Sequence, residues 1–133
     1  RIPLCLIEPL GFSLEDKYMK RAGLDYWEFV NLKLYKSFSS FINSLNENRR
    51  IIGCSKSGGI PLSNFNFHSG DIILLGREDT GLPNNIRTKC HSIVTIQMPG
   101  AANKLGEDGV RSLNLSVASS IILFEAGKQL SLW

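Results

Sequence analysis

The chain has 133 residues, 43% of them hydrophobic and 20% charged, a balance that suits one folded domain with a buried core and excludes a disordered chain. Its longest apolar stretches, Ile72 to Leu75 and Ile121 to Phe124, fall far short of the roughly 18 residues that a membrane span needs. Fifteen Lys and Arg against twelve Asp and Glu leave a net charge of +3, which is compatible with a nucleic-acid partner and does not require one.

In chain order, Leu4 to Ile7 reads as a buried strand ended by Glu8-Pro9, because the residue before proline is pushed out of the helical region. Ser13 then caps a predicted helix, with Glu15 and Asp16 in its first turn, Lys20 and Arg21 in its last, and Gly23 to end it. Phe38, Phe41, Ile42 and Leu45 follow the spacing of a second amphipathic helix, and Arg50 to Ser55 reads as a strand. Ile72 to Leu75 has the continuous apolar character of a central parallel strand. Pro83 suits the first turn of a short helix through Ile86, Ser92 to Met98 supplies another strand, and Leu113 to Leu130 a long apolar helix. Alternating strands and helices predict a single α/β domain over residues 1–133, with a mainly parallel sheet flanked by helices.

Three loops leave the C-terminal ends of predicted strands: Cys54 to Gly59, Gly76 to Pro83, and Pro99 to Ser112. Ligands of open α/β sheets usually sit there. The first loop, Cys-Ser-Lys-Ser-Gly-Gly, lacks the spacing of a triphosphate cradle and is followed by no strong helix. In the second, Gly76 ends a strand where a side chain would block close approach, and Gly81 turns the chain before Pro83. An ordinary strand-turn-helix connection explains it as well. In the third, Ser112, Asn114 and Ser116 open an apolar helix, where polar side chains either cap free backbone N–H groups or contact a ligand.

Leu-Leu-Gly-Arg-Glu-Asp-Thr-Gly-Leu-Pro at 74 to 83, and Ile-Gln-Met-Pro at 96 to 99 followed by Ser-Leu-Asn-Leu-Ser-Val-Ala at 112 to 118, resemble the second and third motifs of the SpoU family in the SPOUT superfamily of RNA ribose 2′-O-methyltransferases. Ile7 to Phe12 and Lys20 to Tyr26 are similar to its TrmL-like subgroup, which acts on the wobble nucleotide of tRNA. The resemblance implies a C-terminal deep trefoil knot, a rare exception to unknotted topology, and S-adenosyl-L-methionine as cofactor with no metal. It also implies cofactor contacts at Cys54, Gly76, Met98 and Ser112, with Ser55, Leu82, Ile96 and Leu113 as neighbours. Asn114 and Ser116 become the candidates to orient the reacting groups, and Glu78 is structural.

Two departures stand beside the match. Family members begin with a strand and helix carrying an Asn-x-Gly-Asn-x-x-Arg motif whose arginine helps activate the ribose hydroxyl, and Arg1 aligns beyond it. Without that arginine the expectation is cofactor binding with poor turnover, and a rival reading is a non-catalytic RNA-binding or assembly module on the same fold. Residues 99–111 also form a longer loop than in compact bacterial members.

Lys17, Lys20 and Arg21 share one helix face, by composition an ordinary solvated stripe and by the resemblance a contact for tRNA phosphates. His68 and His91 read as surface residues, and Tyr26, Trp27 and Phe29 as core or subunit contacts. The three scattered cysteines, Cys5, Cys54 and Cys90, suggest neither disulfide framework nor zinc site. They point to a reducing compartment, the cytoplasm or an organelle whose targeting leader has been removed. The apolar character of the last helix on more than one face predicts a homodimer that buries it and completes each active site near the partner subunit.

Overall fold

The computed structural model describes residues 2–15, 29–46, 48–98 and 112–132. Contacts divide the chain into two compact units, Arg1–Glu47 and Asn48–Trp133. Of the predicted helix beginning at Ser13, the described part ends at Glu15, whose amide donates to Ser13 Oγ at 3.2 Å; Lys17, Lys20 and Arg21 lie outside the described residues, as do Tyr26, Trp27 and residues 99–111.

In the first unit, β1 (Leu4–Ile7) pairs in parallel with β2 (Leu32–Tyr35), Leu4 opposite Leu32 and Ile7 opposite Tyr35. Helix α1 (Phe38–Asn43) follows, capped by Ser37, whose hydroxyl accepts from the Ser40 amide while Ser40 returns a hydroxyl to the Ser37 backbone amide. Phe41 is the buried residue of this helix and meets the Tyr35 ring edge-on at 5.2 Å. The helix ends before Leu45, where Ser44 turns its hydroxyl back onto the Phe41 carbonyl.

The second unit is built on a four-stranded sheet in which every pairing is parallel, in the order β4 (Ile60–Pro61), β6 (Ser92–Thr95), β3 (Ile51–Cys54), β5 (Ile72–Leu74). Helix α2 (Asn84–Arg87) stands between β5 and β6 in the chain, and α3 (Leu115–Gln129) ends it. Ile52, Val94 and Ile122 are almost completely buried, and with Leu62, Phe65, Phe67 and Ala126 they form one core between sheet and α3. The Gln129 amide fastens that helix to the preceding loop, donating to the Phe65 carbonyl and accepting from the Phe67 amide, both at 2.9 Å.

The strand order has a topological consequence. Cys54 and Ile60 lie on opposite sides of Val94, so β6, which comes later in the chain, sits between two strands joined only by residues 55–59. Three expected boundaries move. The strand predicted to Met98 ends at Thr95, because β6 has paired neighbours only that far. Pro83 occupies the cap position of α2 rather than its first turn, and its carbonyl accepts from the Ile86 and Arg87 amides. The last helix starts at Leu115, because Asn114 takes the cap.

Candidate active site

Parallel pairing puts the C-terminal ends of β3, β5 and β6 on one edge of the sheet, with Gly53 in register with both Leu74 and Ile93. The loops after Cys54 and Leu74 and the segment from Ile96 therefore emerge side by side. Of the expected cofactor residues, Cys54, Ser55, Gly76, Leu82, Ile96 and Met98 all lie on these three exits. Cys54 and Ile96 pack against the core.

The first exit arches over β6. Its Ser55 amide donates to the Val94 carbonyl at 3.0 Å and its Gly59 amide to Thr95 Oγ1 at 3.1 Å. A Cβ at Gly59 would stand 2.7 Å from the Ile93 carbonyl oxygen, so only glycine lets the loop lie this close to β6. Burial pushes the Cys54 thiol up to about 12, with nearby Cys90 adding to the rise. Cys54 is consequently a neutral group at physiological pH and offers contact surface rather than a nucleophile.

The second exit closes on itself. Arg77 and Gly81 exchange backbone hydrogen bonds of 3.1 and 2.9 Å, and Gly81 adopts φ of 70°. A Cβ at Gly76 would lie 2.2 Å from the Gly81 carbonyl carbon. The glycine is thus required by the chain's own return; the expected reason was approach to a ligand. Asp79 braces the tip, accepting from Arg77 Nε and NH2 at 3.0 and 2.9 Å and from the Thr80 amide at 2.9 Å. Leu82 Cδ1 then comes to lie over Gly53, 3.0 Å from where a Cβ on that strand residue would sit, together with Cys90 Sγ and Ile93 Cδ1 at 2.8 Å.

At the start of α3, Asn114 Oδ1 accepts from the Ser116 amide at 2.9 Å and the Ser116 hydroxyl at 2.6 Å. Both candidate orienting residues are engaged with each other as a helix cap, which leaves the Asn114 amide nitrogen as a donor pointing away from that bond. Ser112 is exposed and Leu113 half-buried. From sequence, Arg87 has no assigned role and His91 reads as a surface residue. Arg87 donates to Ser55 Oγ at 2.7 Å and to the Ser57 and Gly58 carbonyls at 3.2 Å. His91, exposed as expected, accepts the Ile51 amide on Nδ1 at 2.9 Å and so steadies the entry of β3. A separate open hollow in the first unit, lined by Glu8, Pro9, Phe12, Leu34 and Lys36 among others, contains none of the expected cofactor residues.

The model of the SpoU rRNA Methylase family matches residues 2–124. The chain belongs to this family. Among its relatives, a tRNA (cytidine(34)-2′-O)-methyltransferase of Methylovorus glucosotrophus is 37% identical over 126 residues, spanning 95% of this chain and 77% of its own length. A chain solved to give structural insight into the 2-OH methylation of C/U34 on tRNA superposes with a TM-score of 0.85 at 40% identity, covering 98% of this chain and 80% of that one. The SpoU methyltransferase AviRb of Streptomyces viridochromogenes, in complex with the cofactor AdoMet, shares the fold at a TM-score of 0.78 and 23% identity, over 98% of this chain and 51% of its own. The α/β fold with its parallel sheet is the one expected from the motifs, and the second motif and Ile96–Met98 of the third fall on two of the three neighbouring exits described above, while residues 112–118 open α3.

Proposed function

We propose that this chain transfers a methyl group from S-adenosylmethionine to a ribose 2′-hydroxyl of RNA, and specifically at the wobble nucleotide of tRNA. The observation that carries the reading is the convergence of Cys54–Ser55, Gly76–Leu82 and Ile96–Met98 on one sheet edge in a chain whose relatives at 37–40% identity are described by that reaction. The residues present fit such a cofactor: a neutral thiol, a glycine turn and the apolar side chains of Leu82, Ile96 and Met98 suit an uncharged heterocycle and a thioether carbon chain better than a phosphate.

The cofactor would supply an electrophilic methyl group, whose bond to sulfur breaks as the bond to the 2′-oxygen forms, leaving S-adenosylhomocysteine and releasing the hydroxyl proton. What this chain supplies is placement: the exits carry the binding loops on strand ends, and Asn114 and Ser116 at the start of α3 are assigned to the substrate side, as the match to the third motif implies. With Oδ1 committed to the helix cap, Asn114 offers an amide donor to the ribose oxygen, and holding that oxygen in line is where proximity accelerates the transfer. Ser112 and Leu113 complete the cofactor contacts from the same helix start. Lys17, Lys20 and Arg21 contribute cations for the tRNA backbone, supported by their shared face in the sequence.

The same reading makes both units parts of one methyltransferase domain, supported by the family match across 2–124, and makes the topology knotted, supported by β6 lying between β3 and β4 beneath residues 55–59. It makes the protein a homodimer, supported by the apolar side chains that α3 exposes: Val117 is 46% and Ile121 38% exposed, the latter along a groove that Leu62 and Phe124 also line. No helix among the described residues is long and apolar enough to cross a membrane, and a reducing interior such as the cytoplasm suits the three free cysteines.

Isothermal titration with S-adenosylhomocysteine, followed by methyl incorporation into unmodified tRNA, tests the reading. Binding with incorporation is expected. Binding without any incorporation would favour the non-catalytic RNA-binding module on the same fold, and absence of binding by folded protein would remove the cofactor.

A further inference from the structure

We infer that Arg87 is a positioning residue for the cofactor site: it clamps the arch formed by residues 55–59 in its binding shape from the helix that follows the Gly76–Pro83 turn. This inference rests on the proposed cofactor site, and it adds a residue that neither the motifs nor the chemistry of the site had marked.

The geometry is specific. One guanidinium nitrogen donates to Ser55 Oγ at 2.7 Å, while the other reaches the Ser57 and Gly58 carbonyls at 3.2 Å. Three acceptors on one short loop are thereby held by one rigid, planar guanidinium. Gly58 is shaped to receive it. Its φ of +70° is the left-handed conformation that glycine adopts freely, and a Cβ there would stand 3.0 Å from the Arg87 terminal nitrogen.

The position of Arg87 in the chain gives the clamp its meaning. It is the last residue of α2, which begins directly after Pro83, so its backbone is fixed to the second exit while its side chain is fixed to the first. The two loops proposed to hold the cofactor are therefore tied together by a side chain that touches neither Cys54 nor the Gly76 turn through its own hydrogen bonds. The arch also straddles β6, to which it is otherwise held by the Ser55 amide on Val94 and the Gly59 amide on Thr95 Oγ1. Between those two points, among the described residues, Arg87 adds three side-chain hydrogen bonds to the loop's own turn, in which Ser55 Oγ accepts from the Ser57 amide at 3.4 Å.

Loss of the clamp should act on binding more than on the transfer step. In Arg87→Met, affinity for S-adenosylhomocysteine and the KM for S-adenosylmethionine are expected to weaken about tenfold, the scale of one lost charge-assisted hydrogen bond network, with a smaller change in kcat. Arg87→Lys, which brings one ammonium where the guanidinium spans three acceptors, should recover part of the affinity. Hydrogen exchange separates a local effect from general loosening: the Ser55 and Gly59 amides should exchange faster in Arg87→Met while those of Ile52 and Val94 keep their protection. Wild-type protein is the control for the underlying reading. If it binds S-adenosylhomocysteine and Arg87→Met binds it equally well, or loses affinity only together with protection at Ile52 and Val94, the clamp is overturned and the cofactor site stands. If the folded wild type does not bind, the site itself falls and the clamp with it.

Discussion

Arg50 and Asp71 join the entries of β3 and β5 by a two-point ion pair, Nε to Oδ1 at 2.8 Å and NH2 to Oδ2 at 2.6 Å. The Asp71 side chain is only 6% exposed, and it also accepts the His68 amide at 2.8 Å, while the Arg50 carbonyl accepts the Ile72 amide. The two strands whose far ends carry Cys54 and Gly76 are thus locked in register at the opposite edge from the site.

This pair makes stability fall in acid. Burial by itself would raise the Asp71 carboxyl, but hydrogen bonds from Arg50 and the His68 amide outweigh it and hold the carboxyl below its ordinary 3.8. A carboxylate lowered in the folded state adds stability above its unfolded value, and that stability is lost as pH drops through the folded one. Asp71→Asn should cost about 1–3 kcal/mol at pH 7, the range for a buried partner left unsatisfied, with a narrower gap from wild type in acid, at a pH below the carboxyl's ordinary 3.8. Urea melts at the two pH values check this; an equal gap at both would show that the ion pair contributes nothing.

Gly76→Ala should unfold the Arg77–Gly81 return, because the new carbon would press on backbone atoms 2.2–2.6 Å away that cannot rotate aside. A cost of about 1–3 kcal/mol is expected for such overpacking, with loss of S-adenosylhomocysteine binding. Gly11→Ala, with nothing within 4 Å of the added carbon, serves as comparison. Thermal melting and calorimetry read both effects, and full stability with full affinity in Gly76→Ala would show that the turn adopts another form.

Cys54 should be slow to alkylate. With its thiol at about 12, its thiolate fraction at pH 8 is more than about 100-fold below that of an unperturbed cysteine. Because the folded value is raised, Cys54 favours the folded state at neutral pH and its contribution declines as pH climbs from its ordinary 9.0 toward 12. Mass spectrometry after iodoacetamide treatment measures the rate, and labelling of Cys54 in native protein at the rate of a free thiol would contradict its burial.

Much of this was legible before the structure. Strands β1, β3 and β5 lie within two residues of their expected ranges, because short apolar runs bounded by Gly, Pro or charge have few other ways to be covered. Strand β2 was missed: Leu-Lys-Leu-Tyr has Lys33 in its middle and is defined by pairing with β1 rather than by its own pattern. Strand β4 was missed because two residues carry no period at all. The loops of the candidate site could be read from their glycines, but the reason for Gly76 could not, since it depends on the return of Gly81. Arg87 was invisible for a similar reason: its acceptors are about thirty positions away in the chain, and nothing in the local sequence sets it apart from a solvated helix end.

The proposed homodimer predicts its own disruption. Phe124→Glu puts a charge on the exposed apolar side of α3 while Ile122 and Ala126, on the core side, are untouched. A charge buried at an interface without a partner is strongly unfavourable, so sedimentation should show a folded monomer where wild type is a dimer. A wild-type protein that already sediments as a monomer at micromolar concentration would remove the dimer from the account.

The most direct test of the central claim is nucleoside analysis of tRNA after incubation with the protein and S-adenosylmethionine. The account requires a single 2′-O-methylated ribose, at the wobble nucleotide, and its reduction in Asn114→Ala. Methylation on a base, or transfer to other riboses with the wobble position untouched, would contradict it.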